Sequence, residues 1–369
     1  MRAREELILR VATRRNRQLG GLSEGGYREL LDAVKERPED FIETPSDEAF
    51  LVLAQAIERN VASQAKEEFL DDEEYYAARE RRLSHLANAC AAARSIDEGC
   101  TDALLLDLLA QDLDAHDLLG KLMELSAEKG LALDRVLDGA SLAEQIRDTK
   151  NPSSMHAGSE GPSSARSDTN PPSGTSATTP SAAPATTDAW DDVFLRPTLR
   201  LVAAVVRACL DCACYRMAVG IGQEALNLAP CDALGIRHTC ALAYARLEDD
   251  RGFEALDARF ARRDDAWELL ARTILLYKLG HAGAAKRALT GMTNLCEGSA
   301  YALLRPILVE PYLPDRPEVP PLSFKAATLA VGEADPIIID VPDFPAWAEQ
   351  QRDVYRTARA FAEKNGFEF

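Results

Sequence analysis

Cys209, Cys212 and Cys214 form a C-x-x-C-x-C run, with Cys231, His238 and Cys240 downstream. Thiolates and imidazoles are zinc ligands, but zinc needs four of them converging tetrahedrally. On a helix, Cys209 and Cys212 share a face while Cys214 points roughly 140° away from Cys209. The run therefore reads as small buried hydrophobes, with a metal or redox site as the alternative. Gly220-Ile221-Gly222-Gln223-Glu224-Ala225 fits G-x-G-x-x-A, a fingerprint that cradles a pyrophosphate only where a strand feeds a helix N-terminus. The residues before it are alanine- and cysteine-rich and read as helix, so the glycines are expected to let two helices approach closely. No G-x-S-x-G, H-E-x-x-H or P-loop occurs, and 5 histidines offer little general base. His85 and His281 read as partly exposed structural residues. No catalytic residue, no cofactor and no enzymatic activity are expected.

Residue types narrow the partner classes further. A net charge of −18 over 369 residues argues against a general affinity for nucleic acid or an anionic membrane. The exception is local: Arg2, Arg4, Arg10, Arg14, Arg15 and Arg17 against Glu5 and Glu6 give +4 over the first 17 residues. This reads as a solvated helix face, with a nucleic-acid arm as the alternative. No apolar run reaches the ~20 residues that span a bilayer. The basic start is not followed by an apolar core and a cleavage site, so secretion is not expected. The 8 cysteines sit in apolar helical patterns, which fits a reducing, cytoplasmic compartment.

The elements that must carry these residues are helices throughout. Leu7, Ile8 and Val11 predict an amphipathic helix over residues 1–20, and another is expected over Tyr27 to Lys35. Phe50, Leu53, Ala54, Ile57 and Val61 share the face of a helix starting at Ser46 or Asp47. Asp71-Asp72-Glu73-Glu74 suits the positive end of the next helix, which carries Leu83, Leu86, Ala87, Cys90 and Ala93. Further helices are expected from Thr101, over Leu118 to Leu125, and over Leu131 to Ile146. Residues 151–189 are Pro, Ser, Thr, Ala and Gly with Met155 as the single large apolar residue and His156 among them. They read as a disordered linker spanning roughly 30–35 Å, long enough for the flanking domains to move independently.

Beyond Trp190 the pattern becomes one of helical hairpins. Leu199 to Pro230 reads as the first, with small Ala218 and Ala225 allowing close approach and Pro230 stopping its second helix. Asp232 to Leu247 and Phe253 to Arg262 make the second. Trp267, Leu270 and Ala271 open the third with tetratricopeptide spacing, and Ala284, Ala285 and Leu289 lie on its partner. A closing helix is expected at Tyr301 to Val309. An extended segment is expected at Ile337-Ile338-Ile339 between Pro336 and Pro342, and a last helix from Pro345 through Phe361. The predicted fold is all-α: an N-terminal helical domain (1–150), the linker (151–189), a TPR-like α-solenoid (190–310) and an irregular capping tail (311–369).

Three phrases carry a resemblance. They are Ile96-Asp97-Glu98-Gly99-Cys100-Thr101-Asp102-Ala103, Phe194-Leu195-Arg196-Pro197-Thr198-Leu199-Arg200, and Ala229-Pro230-Cys231-Asp232-Ala233-Leu234-Gly235-Ile236-Arg237-His238. Together they resemble a bacterial tetratricopeptide-repeat family related to the suppressor-of-tumorigenicity proteins, over roughly residues 80–110 and 190–310. The resemblance implies helical repeats and protein contacts, and no activity. His238 stands where that family has an aromatic, and Cys231 where it has a polar turn residue.

Concave walls of such arrays are lined by positions 2, 5, 6, 9 and 12 of each first helix. With Leu199, Ala233 and Asp264 as first positions, Arg200, Arg207, Arg237, His238, Tyr244 and Arg272 face inward. The arginine fork suits carboxylates and phosphates, so the expected function is a scaffold that binds an acidic peptide or carboxylate. The alternative is that these arginines pair with Asp211, Asp265 and Glu268 and knit the helices together.

Overall fold

A computed structural model describes residues 3–67, 70–111, 113–150, 188–261, 265–307, 309, 313 and 315–369. Residues 151–187 of the expected linker, and Asp264 as the start of the third hairpin, lie outside them. Among the described residues the protein is all α-helix and short 3-10 turns, with no strand.

Seventeen α-helices are described. The first five are α1 (Ala3–Gln18), α2 (Glu24–Glu36), α3 (Pro45–Glu67), α4 (Asp72–Ile96) and α5 (Thr101–Leu109). Next come α6 (Ala115–Glu128), α7 (Leu142–Lys150), α8 (Arg196–Asp211), α9 (Tyr215–Leu228), α10 (Ile236–Leu247) and α11 (Asp250–Arg259). The last six are α12 (Ala266–Lys278), α13 (Ala282–Leu295), α14 (Ser299–Leu304), α15 (Phe324–Ile339), α16 (Asp343–Glu349) and α17 (Arg352–Asn365). Side-chain caps fix many of the starts: Asp71 accepts from Glu74 N, Asp114 from Asp117 N, Asp249 from Gly252 N, and Asp265 from both Trp267 N and Glu268 N. The acidic run at Asp71 thus does what its position predicts.

Three expected elements are corrected. The helix over Leu131 to Ile146 is a 3-10 turn (Leu133–Asp138) followed by α7, because Gly139 adopts φ +89 between them and ends the first piece. The extended Ile337-Ile338-Ile339 is instead the last turn of α15, which holds Pro336 inside it. Ala326, Ala327, Ala330, Val331, Ala334 and Ile337 are all buried along that helix. Continuing this apolar stripe outweighs the roughly 3 kcal/mol that an interior proline costs. The single helix from Pro345 breaks into α16 and α17 at Gln350 and Gln351.

One apolar cluster runs from Leu105, through Leu122, Leu131 and Leu142, to α8–α10, α12 and α15–α17. Helices α5 to α7 therefore share a core with α8 and α9, on which they pack. Independent movement about the linker is not what this packing provides: the two flanking segments are docked. Two smaller clusters hold α1 to α5 together, one around Leu53, Leu86 and Cys90 and one around Leu7, Val11 and Phe50. Helices α8, α9, α10 and then α12, α13 pack on one another in chain order, and α15 lies against α10, α12 and α14.

Gly222 faces α10, where a Cβ would collide with Cys240 Sγ and lie 3.3 Å from Ile236 Cγ2. The close approach expected of the glycine pair is met there. Gly222→Ala is expected to destabilise the protein by about 1–3 kcal/mol, read from the urea midpoint, because Cys240 is fully buried with no room to move aside.

Candidate functional site

Arg200 sits on α8 between Leu199 and Leu201, inside an apolar stripe, and its side chain is completely buried. A buried guanidinium needs counter-charges, and three elements supply them. Its Nη1 donates to Glu6 Oε1 on α1 at 3.1 Å and to Asp102 Oδ1 on α5 at 3.2 Å, while Nε donates to Asp315 at 2.9 Å. Nη2 closes the fork on Glu6. Arg10 approaches Asp102 at 3.6 Å and covers the Phe50 ring at 4.1 Å, and Arg196 lies 3.8 Å from Glu6. Burial pushes the Asp102 carboxyl above its ordinary range against the pull of Arg200 and Arg10. Burial opposes the charge on Arg200, but Asp102, Asp315 and Glu6 together outweigh it and hold the cation.

Arg237, at the start of α10, forms a second network. It donates to Asp232 at 3.0 Å, Asp265 at 2.7 Å and Glu268 at 3.3 Å. Beside it His238 is buried and stacks on Trp267 at 4.6 Å, its Nδ1 3.5 Å from Asp265. Burial, then Arg316 and Arg237, drive its pKa well below normal, so it stays neutral. Burial and the neighbouring Asp265 push Glu268 up to about 8, against Arg237. Arg316 completes the network: it bridges Glu333 on α15 with two bonds of 2.7 and 3.0 Å and also reaches the carbonyls of Leu234 and Gly235. Glu333 in turn accepts from Trp267 Nε1 at 3.0 Å.

The six residues expected on one concave wall thus fall into separate settings. Arg200 belongs to the first network, and Arg237 and His238 to the second. Arg272 is spent on Glu254 and Asp257 of α11 and lies over Phe253. Tyr244 is buried and accepts a hydrogen bond from Gln223 of α9. Arg207 is half-buried with its charge facing Asp211. An open positive pocket is corrected to internal ion pairing: Arg237 takes Asp265 and Glu268, as the alternative expected, Arg200 takes Glu6, Asp102 and Asp315, and Arg272 takes Glu254 and Asp257. Sequence reasoning missed Glu6, Asp102, Asp315 and Glu333. The one available signal was an arginine inside an apolar stripe, at Arg200 and at Arg10, since such a residue must recruit its own carboxylates.

The N-terminal arginines are corrected only in part. Arg10 is buried, Arg14 pairs with Asp47 at 2.8 Å, Arg15 with Glu43 at 2.8 Å, and Arg17 reaches Asp192 at 3.8 Å while covering Phe194. Arg4 and Arg17 are nonetheless exposed and Arg15 is 42% exposed, so the solvated-face reading holds for these three and fails at Arg10, while Arg2 lies outside the described residues. Cys209, Cys212 and Cys240 behave as packed hydrophobes, with burial driving Cys209 up to about 12 and Cys212 to about 11, away from thiolate chemistry, whereas Cys214 is half-buried and Cys231 exposed. Among the described residues, no group of three or more His, Cys, Asp or Glu is arranged to hold a metal ion. Nor is any described helix long and apolar enough to cross a membrane.

What remains open is the outer half of the α3–α4 hairpin. Among the described residues its apolar packing stops at Ile57 and Leu86. Between Glu58 and Arg82 the described side chains are exposed or half-buried except Glu67 and Arg82. Those two pair through Arg82 Nε at 2.9 and 3.0 Å, with Arg82 Nη1 donating to Asn60 Oδ1 at 3.1 Å. Val61 is 52% and Tyr76 58% exposed on this arm. A cavity of about 290 Å³ opens between the two helices, floored by Ala56, Leu86 and Ala89 and edged by Arg59, His85 and Asn88.

Set against known families, characterised proteins and solved structures, the chain matches none of them.

Proposed function

We propose that the chain is a non-enzymatic interaction scaffold, built in part from TPR-like helical hairpins, whose partner docks on the α3–α4 arm instead of in the concave wall. One observation carries the reading: the arm extends past its own apolar core and leaves Val61 and Tyr76 in solvent. A hairpin that buried nothing of functional use would have little reason to hold an ion pair, Arg82 with Glu67, out of water so far from the main core. The succession of hairpins α8–α9, α10–α11 and α12–α13 supports the repeat-array part of the reading, as do the short phrases that resemble the tetratricopeptide family. Eight free cysteines suit a reducing, cytoplasmic setting.

The test compares proteins captured from lysate by the native chain and by the double variant Val61→Asp, Tyr76→Asp. Both positions are exposed, so the circular dichroism spectrum is expected to be unchanged while a specific subset of captured proteins is lost. Retention of the same set by the variant would remove the arm as the working surface.

A further inference from the structure

We propose that the cavity between α3 and α4 is a carboxylate-binding site, and that its occupant is an acidic side chain of a docked peptide. The proposal rests on the arm being the partner surface and adds what the partner must present. No carboxylate lines the cavity among the described residues, although the chain carries −18 overall. Arg59 is exposed at its edge with no ion pair or hydrogen bond of its own among the described residues. Arg82 behind it is buried and committed to Glu67 and Asn60. Because the Asn60 carbonyl end accepts from Arg82, its NH2 end is the one not engaged there, and it adds a donor to the lining.

Charge and shape select the ligand class. Arg59 brings a single positive charge to a lining that holds no Asp or Glu among the described residues, which matches a carboxylate monoanion. A phosphate dianion would carry a second negative charge that Arg59 alone does not balance. The apolar floor of Ala56, Leu86 and Ala89 suits the two methylenes of a glutamate, whose head then meets the arginine fork. A cavity of about 290 Å³ holds one such side chain and its neighbours, not a large cofactor. Elsewhere the acidic surface of the protein repels the same peptide, which confines it to this spot.

The test uses the full chain and a fluorescein-labelled, N-acetylated, C-terminally amidated pentaglutamate, followed by anisotropy at low salt. Binding is expected, weakening as salt rises, with no binding of the matching pentaglutamine. Arg59→Glu is expected to weaken it at least tenfold. Arg352→Glu, an exposed arginine on α17 with no described ion pair, is expected to leave it unchanged. Failure of pentaglutamate to bind, equal binding by Arg59→Glu, or displacement by equimolar inorganic phosphate each overturns the carboxylate site. If that happens while Val61→Asp, Tyr76→Asp still loses captured proteins, the arm stands as the interaction surface and the ligand chemistry alone falls.

Discussion

Replacing Arg200 with alanine is expected to destabilise the protein by about 3–5 kcal/mol, measured as a fall in the urea unfolding midpoint. The size follows from what is left behind. Glu6, Asp102 and Asp315 would lose the cation all three share, and the next arginines stand farther off, Arg10 at 3.6 Å from Asp102 and Arg196 at 3.8 Å from Glu6. Stripped of their partner, buried carboxylates face a desolvation penalty that distant arginines offset only in part. The three acids are 194, 98 and 115 residues away in the chain, so the loss is expected to loosen α1 and α5 from α8. Hydrogen exchange in α1 should accelerate more than in α12. Changing the site to Arg200→Met with Glu6→Gln and Asp102→Asn removes the stranded charges and is expected to recover part of the stability. A loss below about 1 kcal/mol for the alanine variant would mean that this network does not hold the N-terminal helices in place.

Stability is expected to fall as pH rises from 6.8 to about 8, and Glu268 is the reason. Burial and Asp265 lift its folded pKa to about 8, whereas its ordinary value is 4.5. Between those two values the native state holds a proton that the unfolded state has released, so raising pH favours unfolding. Above about 8 both states are ionised and this contribution levels off. Over that window the fall is about 1–1.5 kcal/mol, at one pKa unit per 1.36 kcal/mol. His238 works in the opposite direction: it is neutral when folded and protonated when unfolded, but it acts below its ordinary 6.5. Starting at pH 6.8 keeps the two apart. Arg237 and the neighbouring Asp257 and Asp265 are the other charges facing Glu268. Glu268→Gln is expected to flatten the profile of urea midpoint against pH and to leave the variant more stable than the native chain near pH 8. An unchanged slope in that variant would assign the pH dependence elsewhere.

Both effects arise from acid crowding around arginines that periodicity alone casts as ligand-binding groups. Four arginines at inward positions of three hairpins look like a receptor for a carboxylate, and they are: the carboxylates belong to the same chain. Asp315, which takes Arg200, comes from the stretch read as an irregular tail, which here includes α15 packed against α10 and α12. A residue's register on its own helix predicts which way it faces, but not what arrives from 115 residues away.

The sequence by itself determined the helices and most of their limits. Apolar residues at three- and four-residue steps, acidic caps such as Asp71 and Asp114, and the hairpin spacing from Arg196 to Leu295 are local properties that neighbouring residues settle. It also carried the close approach at Gly222 and the burial of Cys209, Cys212 and Cys240, since small size and burial follow from an apolar stripe. Tertiary structure decided everything that depended on charge meeting charge across the fold: the burial of Arg200, the neutral His238, the pairing of α1's arginines, and the docking of α5 to α7 onto α8 and α9. It also overrode local rules where packing was stronger, as at Pro336, and it left Val61 and Tyr76 of the α3–α4 arm exposed. Helix formation is a contest among near neighbours, whereas burial and ion pairing are set by whichever distant segments the chain brings together.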